Sequence, residues 1–311
     1  MKVTLDLTDL VATGQLTQNE ADRLARLGAE DTASLGSNIL LAFGTVAVTL
    51  GGAVLFPTVQ SVIVMGVILF VLGLGLVLNK AAKWWLFAQF CVTVGALAIV
   101  GGVGYLSGGS VWANIGMTVG LGAAALLAQS GMLAALAMIE LAFALGAGTA
   151  YWHASYVLGV DRPAFTISIL AVVALALFLI SLQQKSAYER VLLIGARTAV
   201  LMINAAFLVG SLFGDLTLGW PASWFTVVWA VLLIGVGIWG VYANRRWVVN
   251  AAAVFGVVHF YTQWFEYFGP NPLSLLGAGL LLVVFGLLLR WINMRVYSTG
   301  PEHRPPLEIW V

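Results

Sequence analysis

Charge is scarce in this chain. Of 311 residues, 14 are Lys or Arg and 13 are Asp or Glu, 9% in all, where a soluble domain carries about 25%. That scarcity excludes a water-soluble chain. The net charge of +1 also excludes a nucleic-acid partner, because phosphate binding needs a clustered basic surface. Cys91 is the single cysteine, so the chain can form neither an internal disulfide nor a thiolate metal site. His153, His259 and His303 are too far apart in sequence to share ligand spacing, which argues against a metal enzyme. No HExxH, GxSxG or paired-acid motif falls within an apolar run, and Gly101-Gly102-Val103-Gly104 lacks the Lys-Ser/Thr of a phosphate loop. The expectation is a non-enzyme with no cofactor, no metal and no catalytic residue.

Apolar sequence is abundant: 61% of the residues are hydrophobic and the mean hydropathy is +1.00. Crossing a bilayer takes about 20 apolar residues in a helix. Ten stretches read as spans: 37–56, 58–78, 84–106, 113–130, 131–152, 163–182, 191–213, 223–243, 247–268 and 272–292. Residues 113–152 read as one helix would run about 60 Å, twice the hydrocarbon thickness, so the turn at Gln129-Ser130-Gly131 splits them. The expected fold is an all-α, polytopic membrane bundle over 37–295. A cytosolic arm (1–36) precedes it and a cytosolic tail (296–311) follows.

The basic residues test that count. Lys2, Arg23, Arg26, Lys80, Lys83, Lys185, Arg190, Arg245, Arg246, Arg290, Arg295 and Arg304 all fall on one side of a ten-span chain. Arg162 lies opposite and Arg197 within a span. Positive loops mark the cytoplasm, which places both termini inside a bacterial inner membrane. The polar N-terminus carries six acids before residue 37 and has no signal-peptide core. Within it, Thr17 and Glu20 have capping-box spacing, and Ala21, Leu24, Ala25 and Leu27 follow at helical intervals. An arm of this size has no core of its own, so it is expected to pack on the bundle or on a protein partner. The partners expected are the lipid bilayer, a protein bound through the arm, and a second copy in a homo-oligomer.

Two segments carry a resemblance. The arm's LVATGQLTQNEADRL and the later WFEYFGPNPLSLLGAGLLLVVFGLLLRW resemble an uncharacterised bacterial membrane-protein family, domain of unknown function 2157. The chain departs from that pattern at Gln263-Trp264, where the family has Arg-Tyr. The resemblance implies a polytopic inner-membrane protein and implies no activity. A weaker internal similarity, at an offset of 110, aligns Gly146 with Gly256, Tyr151 with Tyr261 and Gly159 with Gly269, as a duplicated hairpin would.

Charged groups inside a bilayer are expensive and usually face a partner or a cavity. Glu140 reads as the deepest, in mid-span, with small Ala137, Ala144, Ala147 and Gly148 on its face. It is either an ion- or proton-coupled carboxylate or a paired group that fixes helix register, with Arg197 as the natural partner. Arg197, Asn204, Ser211 and Asp215 recur at seven, seven and four, one helical face, as in a helix lining a polar interior. His259, Thr262, Gln263 and Glu266 form a second face, a proton relay or an interfacial hydrogen-bond network, among rings that read as a headgroup-level aromatic belt. Asp161, Asp215 and Glu266, with His153 nearby, could make a cation-favouring mouth. The expected substrate or ion pathway is therefore Glu140, Arg197, Asn204, Ser211, Asp215, His259, Gln263 and Glu266. The function expected is transporter- or channel-like, for a small solute, ion or lipid. The alternative is a membrane scaffold or regulatory partner protein.

Overall fold

Thr58 begins the helix Val59–Leu78 by accepting a 3.2 Å hydrogen bond from the Ser61 N–H on its hydroxyl, the usual remedy for an orphan helix-start amide. The computed structural model describes residues 17–21, 40–41, 43–49, 51–52, 54–79, 84–152, 155–184, 186–243 and 245–298. In order they form helices α1 (Val59–Leu78), α2 (Trp85–Leu106), α3 (Val111–Leu127) and α4 (Gly131–Ala144), then a hairpin of β1 (Ala147–Trp152) and β2 (Ser155–Val160). Helices α5 (Pro163–Ser181), α6 (Ser186–Phe213), α7 (Ala222–Tyr242), α8 (Arg246–Phe268) and α9 (Pro272–Ser298) follow. The described residues between 40 and 55 are helical. Most of the arm, Lys80, Lys83, Lys185, His153 and everything beyond 298 lie outside the described residues. At Thr17 the capping box is present, with Thr17 N–H donating to Glu20 Oε2 at 2.9 Å and Glu20 N–H to Thr17 Oγ1 at 3.3 Å.

Among the described residues, six helices are long and apolar enough to cross a membrane: Val59–Leu78, Trp85–Leu106, Pro163–Ser181, Ala187–Phe213, Ala222–Tyr242 and Pro272–Trp291. Large apolar side chains such as Val64, Leu72, Val172, Leu175, Val231, Ile234, Leu280 and Leu287 are exposed along them. Such helices, apolar on every side, are stable in lipid and not in water. The chain is a multi-pass membrane protein. Among the other expected spans, α3 and α4 have 17 and 14 residues, about 25 and 21 Å, less than the roughly 30 Å hydrocarbon core. Helix α8 has 23 residues, but Asn250, His259, Gln263 and Glu266 dilute its apolarity.

The expected helix over 131–152 is corrected. It stops at Ala144, and Ala147–Trp152 pairs antiparallel with Ser155–Val160, Gly148 opposite Gly159. Gly146 turns the chain at φ +100°, a conformation glycine adopts readily. Its carbonyl accepts the Asp161 N–H at 3.0 Å, closing the hairpin. Thr, Tyr, Trp and Val in this stretch favour strand. The same result removes the duplicated-hairpin reading, because Tyr151 lies in a strand and Tyr261 in a helix. A two-stranded sheet has open edges whose amides need water, so the hairpin belongs outside the hydrocarbon.

The chain divides into two compact units, Met1–Ala144 with Val173–Ala199, and Leu145–Val172 with Val200–Val311. In the first, α1 and α2 pack through glycines: a Cβ on Gly95 would meet the Phe70 backbone nitrogen at 2.5 Å, and one on Gly73 the Ala88 carbonyl at 2.7 Å. Helices α3 and α4 form an antiparallel pair about a turn where Gln129 has φ 47° and Ser130 N–H reaches back to the Ala125 carbonyl at 3.0 Å, a Schellman-type end. Val92, Ala96, Leu121, Ala125, Leu133 and Ala137 share its core. In the second unit, Phe207, Phe225 and Trp229 make an aromatic core between α6 and α7. Tyr261 OH donates to the Ala278 carbonyl and Trp264 Nε1–H to the Ser274 carbonyl at 3.2 Å, tying α8 to α9.

Candidate functional site

In the first unit the feature that stands out is Glu140. Its residue is 5% exposed, and no hydrogen bond or ion pair reaches its carboxyl among the described residues. Because α4 ends at Ala144, Glu140 lies about 6 Å from a helix end, which corrects the mid-span depth expected for it. A helix C-terminus carries partial negative charge, and α4 has no basic residue in its last turn. Arg197, the partner expected from sequence, is exposed, and no ion pair joins it to Glu140 among the described residues.

The second unit brings together two groups that sequence left apart. Asn204 on α6 accepts the Trp229 Nε1–H on Oδ1 at 2.9 Å and donates Nδ2–H to the Val200 carbonyl at 2.8 Å. Trp229 stacks on Phe207, with ring planes 6° apart, and stands edge-on to His259 with centroids 4.9 Å apart. The Arg197-to-Asp215 and His259-to-Glu266 faces therefore meet through one tryptophan. His259 Nδ1 is buried with no partner among the described residues. Sequence reading missed Trp229, whose apolar body hides a single N–H that must find an acceptor when buried.

The rest of the two faces disperses. Ser211 donates its hydroxyl to the Leu208 carbonyl at 2.8 Å, and Thr262 to the Val258 carbonyl at 2.9 Å. Gln263 lies in a surface recess with Phe260, Trp264, Tyr267 and Phe268, and Glu266 is exposed. No His259–Glu266 relay forms among the described residues. Among the α8 rings, Phe260 meets Phe285 on α9 at 5.3 Å, while Tyr267 and Phe268 remain exposed.

Asp215 is 1% exposed and turns its carboxylate onto its own loop and the start of α5. Oδ1 accepts the Thr217 N–H at 2.9 Å, the Thr217 hydroxyl at 2.6 Å and the Leu218 N–H at 3.1 Å. Oδ2 accepts the Ala164 N–H at 3.1 Å, capping α5 from 51 residues away. Burial pushes this carboxyl up, but the Thr217 hydroxyl and the Ala164, Leu218 and Thr217 amides outweigh it and hold the pKa below the ordinary aspartate value. Beside this turn opens a cleft of about 590 Å³ lined by Arg162, Phe165, Phe207, Leu218, Trp220 and Trp224 among others. It is apolar, and none of the eight expected pathway residues lines it. No group of three His, Cys, Asp or Glu able to hold a metal exists among the described residues. Comparison with protein-family models, with curated proteins and with solved structures returns no match.

Proposed function

We propose that the chain is a transport-type protein of a bacterial inner membrane, moving a small solute or ion with Glu140 as its exchanging group. One observation carries this reading: a glutamate residue 5% exposed, near the end of a short helix, to whose carboxyl no hydrogen bond or ion pair is made among the described residues. In a membrane protein such a group is expensive, and where it persists it usually marks an ion or proton path. The negative end of a helix dipole favours a cation beside it. Ten crossings with both termini inside, and membership of the family resembled by the arm and by WFEYFG, belong to the same proposal. In proteoliposomes, Glu140→Gln should lower a pH-dependent flux at least tenfold while the purified protein keeps its thermal unfolding profile. A broad solute screen that finds no flux in the unmodified chain overturns the reading.

A second reading, scaffold or regulatory partner, is favoured by the closed bonding of Asn204, Ser211 and Asp215, which reads as packing. Deleting residues 1–34 tests it. Loss of a co-purifying protein supports it, and unchanged interactions count against it.

A further inference from the structure

Among the described residues, Thr118 on α3 carries the buried hydroxyl that has no hydrogen-bond partner. Thr45, Thr49, Thr93, Thr198, Thr226 and Thr262 each donate to the carbonyl four residues back, the standard way to satisfy a hydroxyl in a helix. The Thr118 Oγ1 is buried, and neither that bond nor any other is made among the described residues. One turn earlier on the same side lies Asn114, a residue 8% exposed. A buried hydroxyl without a partner is costly, so this one, with a polar Asn114 a turn away, calls for an occupant.

Helical spacing says where they face. Asn114, Thr118, Leu121 and Ala125 lie at intervals of four, three and four, one side of α3. Leu133, Ala137, Glu140 and Ala144 repeat the interval on α4, and all four are buried. Leu121, Ala125, Leu133 and Ala137 belong to one core, so these sides pack on each other. Thr118 and Glu140 are each 11 residues from Gln129 at the centre of the turn, hence at one level of the antiparallel pair. Helix α6 crosses here too, Gly195 lying near Ala134 and Met138, and its Arg197 is on the exposed side.

We propose that Asn114, Thr118 and Glu140 form a buried site for one monovalent metal cation. The donors are an amide oxygen, a hydroxyl oxygen and a carboxylate, all hard oxygens of the kind that alkali cations take. One carboxylate balances one positive charge, whereas a divalent ion is ordinarily held by more carboxylates than this. The α4 C-terminus adds its negative end. The site rests on the transport reading and names its ion class.

The test uses the full-length chain in nanodiscs, with radiolabelled Na⁺ as the probe, K⁺ as competitor, and choline keeping ionic strength constant. Saturable binding is expected, at least tenfold weaker in Thr118→Val and in Glu140→Gln. Thr118→Ser should restore it. Thr93→Val, which removes a hydroxyl already bonded to its own helix, should bind as the unmodified chain does. Should Thr118→Val fail to fold, the unmodified chain decides: a Tm that rises with Na⁺ or K⁺ but not with choline supports the site. No saturable alkali-cation binding, or full binding by folded Thr118→Val, overturns it. A pH-dependent flux lost in Glu140→Gln but intact in Thr118→Val overturns the cation site and leaves the transport reading standing. Cation binding without any flux does the reverse.

Discussion

Asp215 shows how much one carboxylate can organise. It satisfies amides of its own turn and the start of α5 at once, and ionised oxygens accept more strongly than neutral ones. Its folded pKa is depressed, so its stabilisation is complete above the unfolded value of about 3.9 and disappears as pH falls through the lower folded value. Acidifying the detergent-solubilised protein below about pH 3.9 should therefore lower Tm more for the unmodified chain than for Asp215→Asn. At neutral pH, Asp215→Ala should cost about 1–3 kcal/mol, read from unfolding in mixed micelles. Asn204 and Trp229 form a smaller unit of the same kind. Trp229→Phe should cost about 1 kcal/mol by stranding the Asn204 oxygen. Adding Asn204→Leu should recover most of that loss, since removing both partners of a buried bond is close to neutral. A coupling near zero in that double-mutant cycle would show that the bond contributes nothing.

Helix α1 packs on α2 because glycines let the backbones approach, the arrangement lipid favours when apolar side chains gain nothing by leaving it. A Cβ at Gly95 would lie 2.6 Å from the Gly66 carbonyl, whereas one at Gly75 meets nothing within 4 Å. Gly95→Leu should thus destabilise the pair by at least about 2 kcal/mol, and Gly75→Ala should be neutral or slightly stabilising. Unfolding of the purified chain in increasing SDS fraction compares them. Equal curves would remove the close-packing account. The α3–α4 pair follows different physics. Its helices are short, and the chain leaves α4 through Gly146 into a hairpin whose amides need water. That places the end of α4, and Glu140 about 6 Å from it, near an interface.

For the chain as a whole, the test is sidedness. Cys91 is buried, so Cys91→Ala gives a background for single cysteines. In intact cells a cysteine at Ser107 should react with a membrane-impermeant maleimide, and one at Asn79 should react after permeabilisation alone. The reverse pattern would invert the orientation drawn from the basic residues. Membrane character, long apolar helices and the Thr17–Glu20 cap were all legible in the residues, because each depends on composition or on neighbours within a few positions. Glu140 and Asn204 were legible as polar residues out of place, but their surroundings were not. Periodicity tells which residues share a face and says nothing of what lies opposite. Asp215 finds Ala164 across 51 positions, and Asn204 finds Trp229 across 25. Thr118 gave a weak signal, four residues after Asn114 on the side of Leu121 and Ala125. Hydropathy could not separate the end of α4 from a hairpin, since a short apolar run rich in Gly, Thr and aromatics suits either. Composition and local periodicity thus establish a membrane protein and its helical segments. Three-dimensional packing assigns each polar group its partner or leaves it without one, because hydrogen-bond satisfaction depends on distance in space and not along the chain.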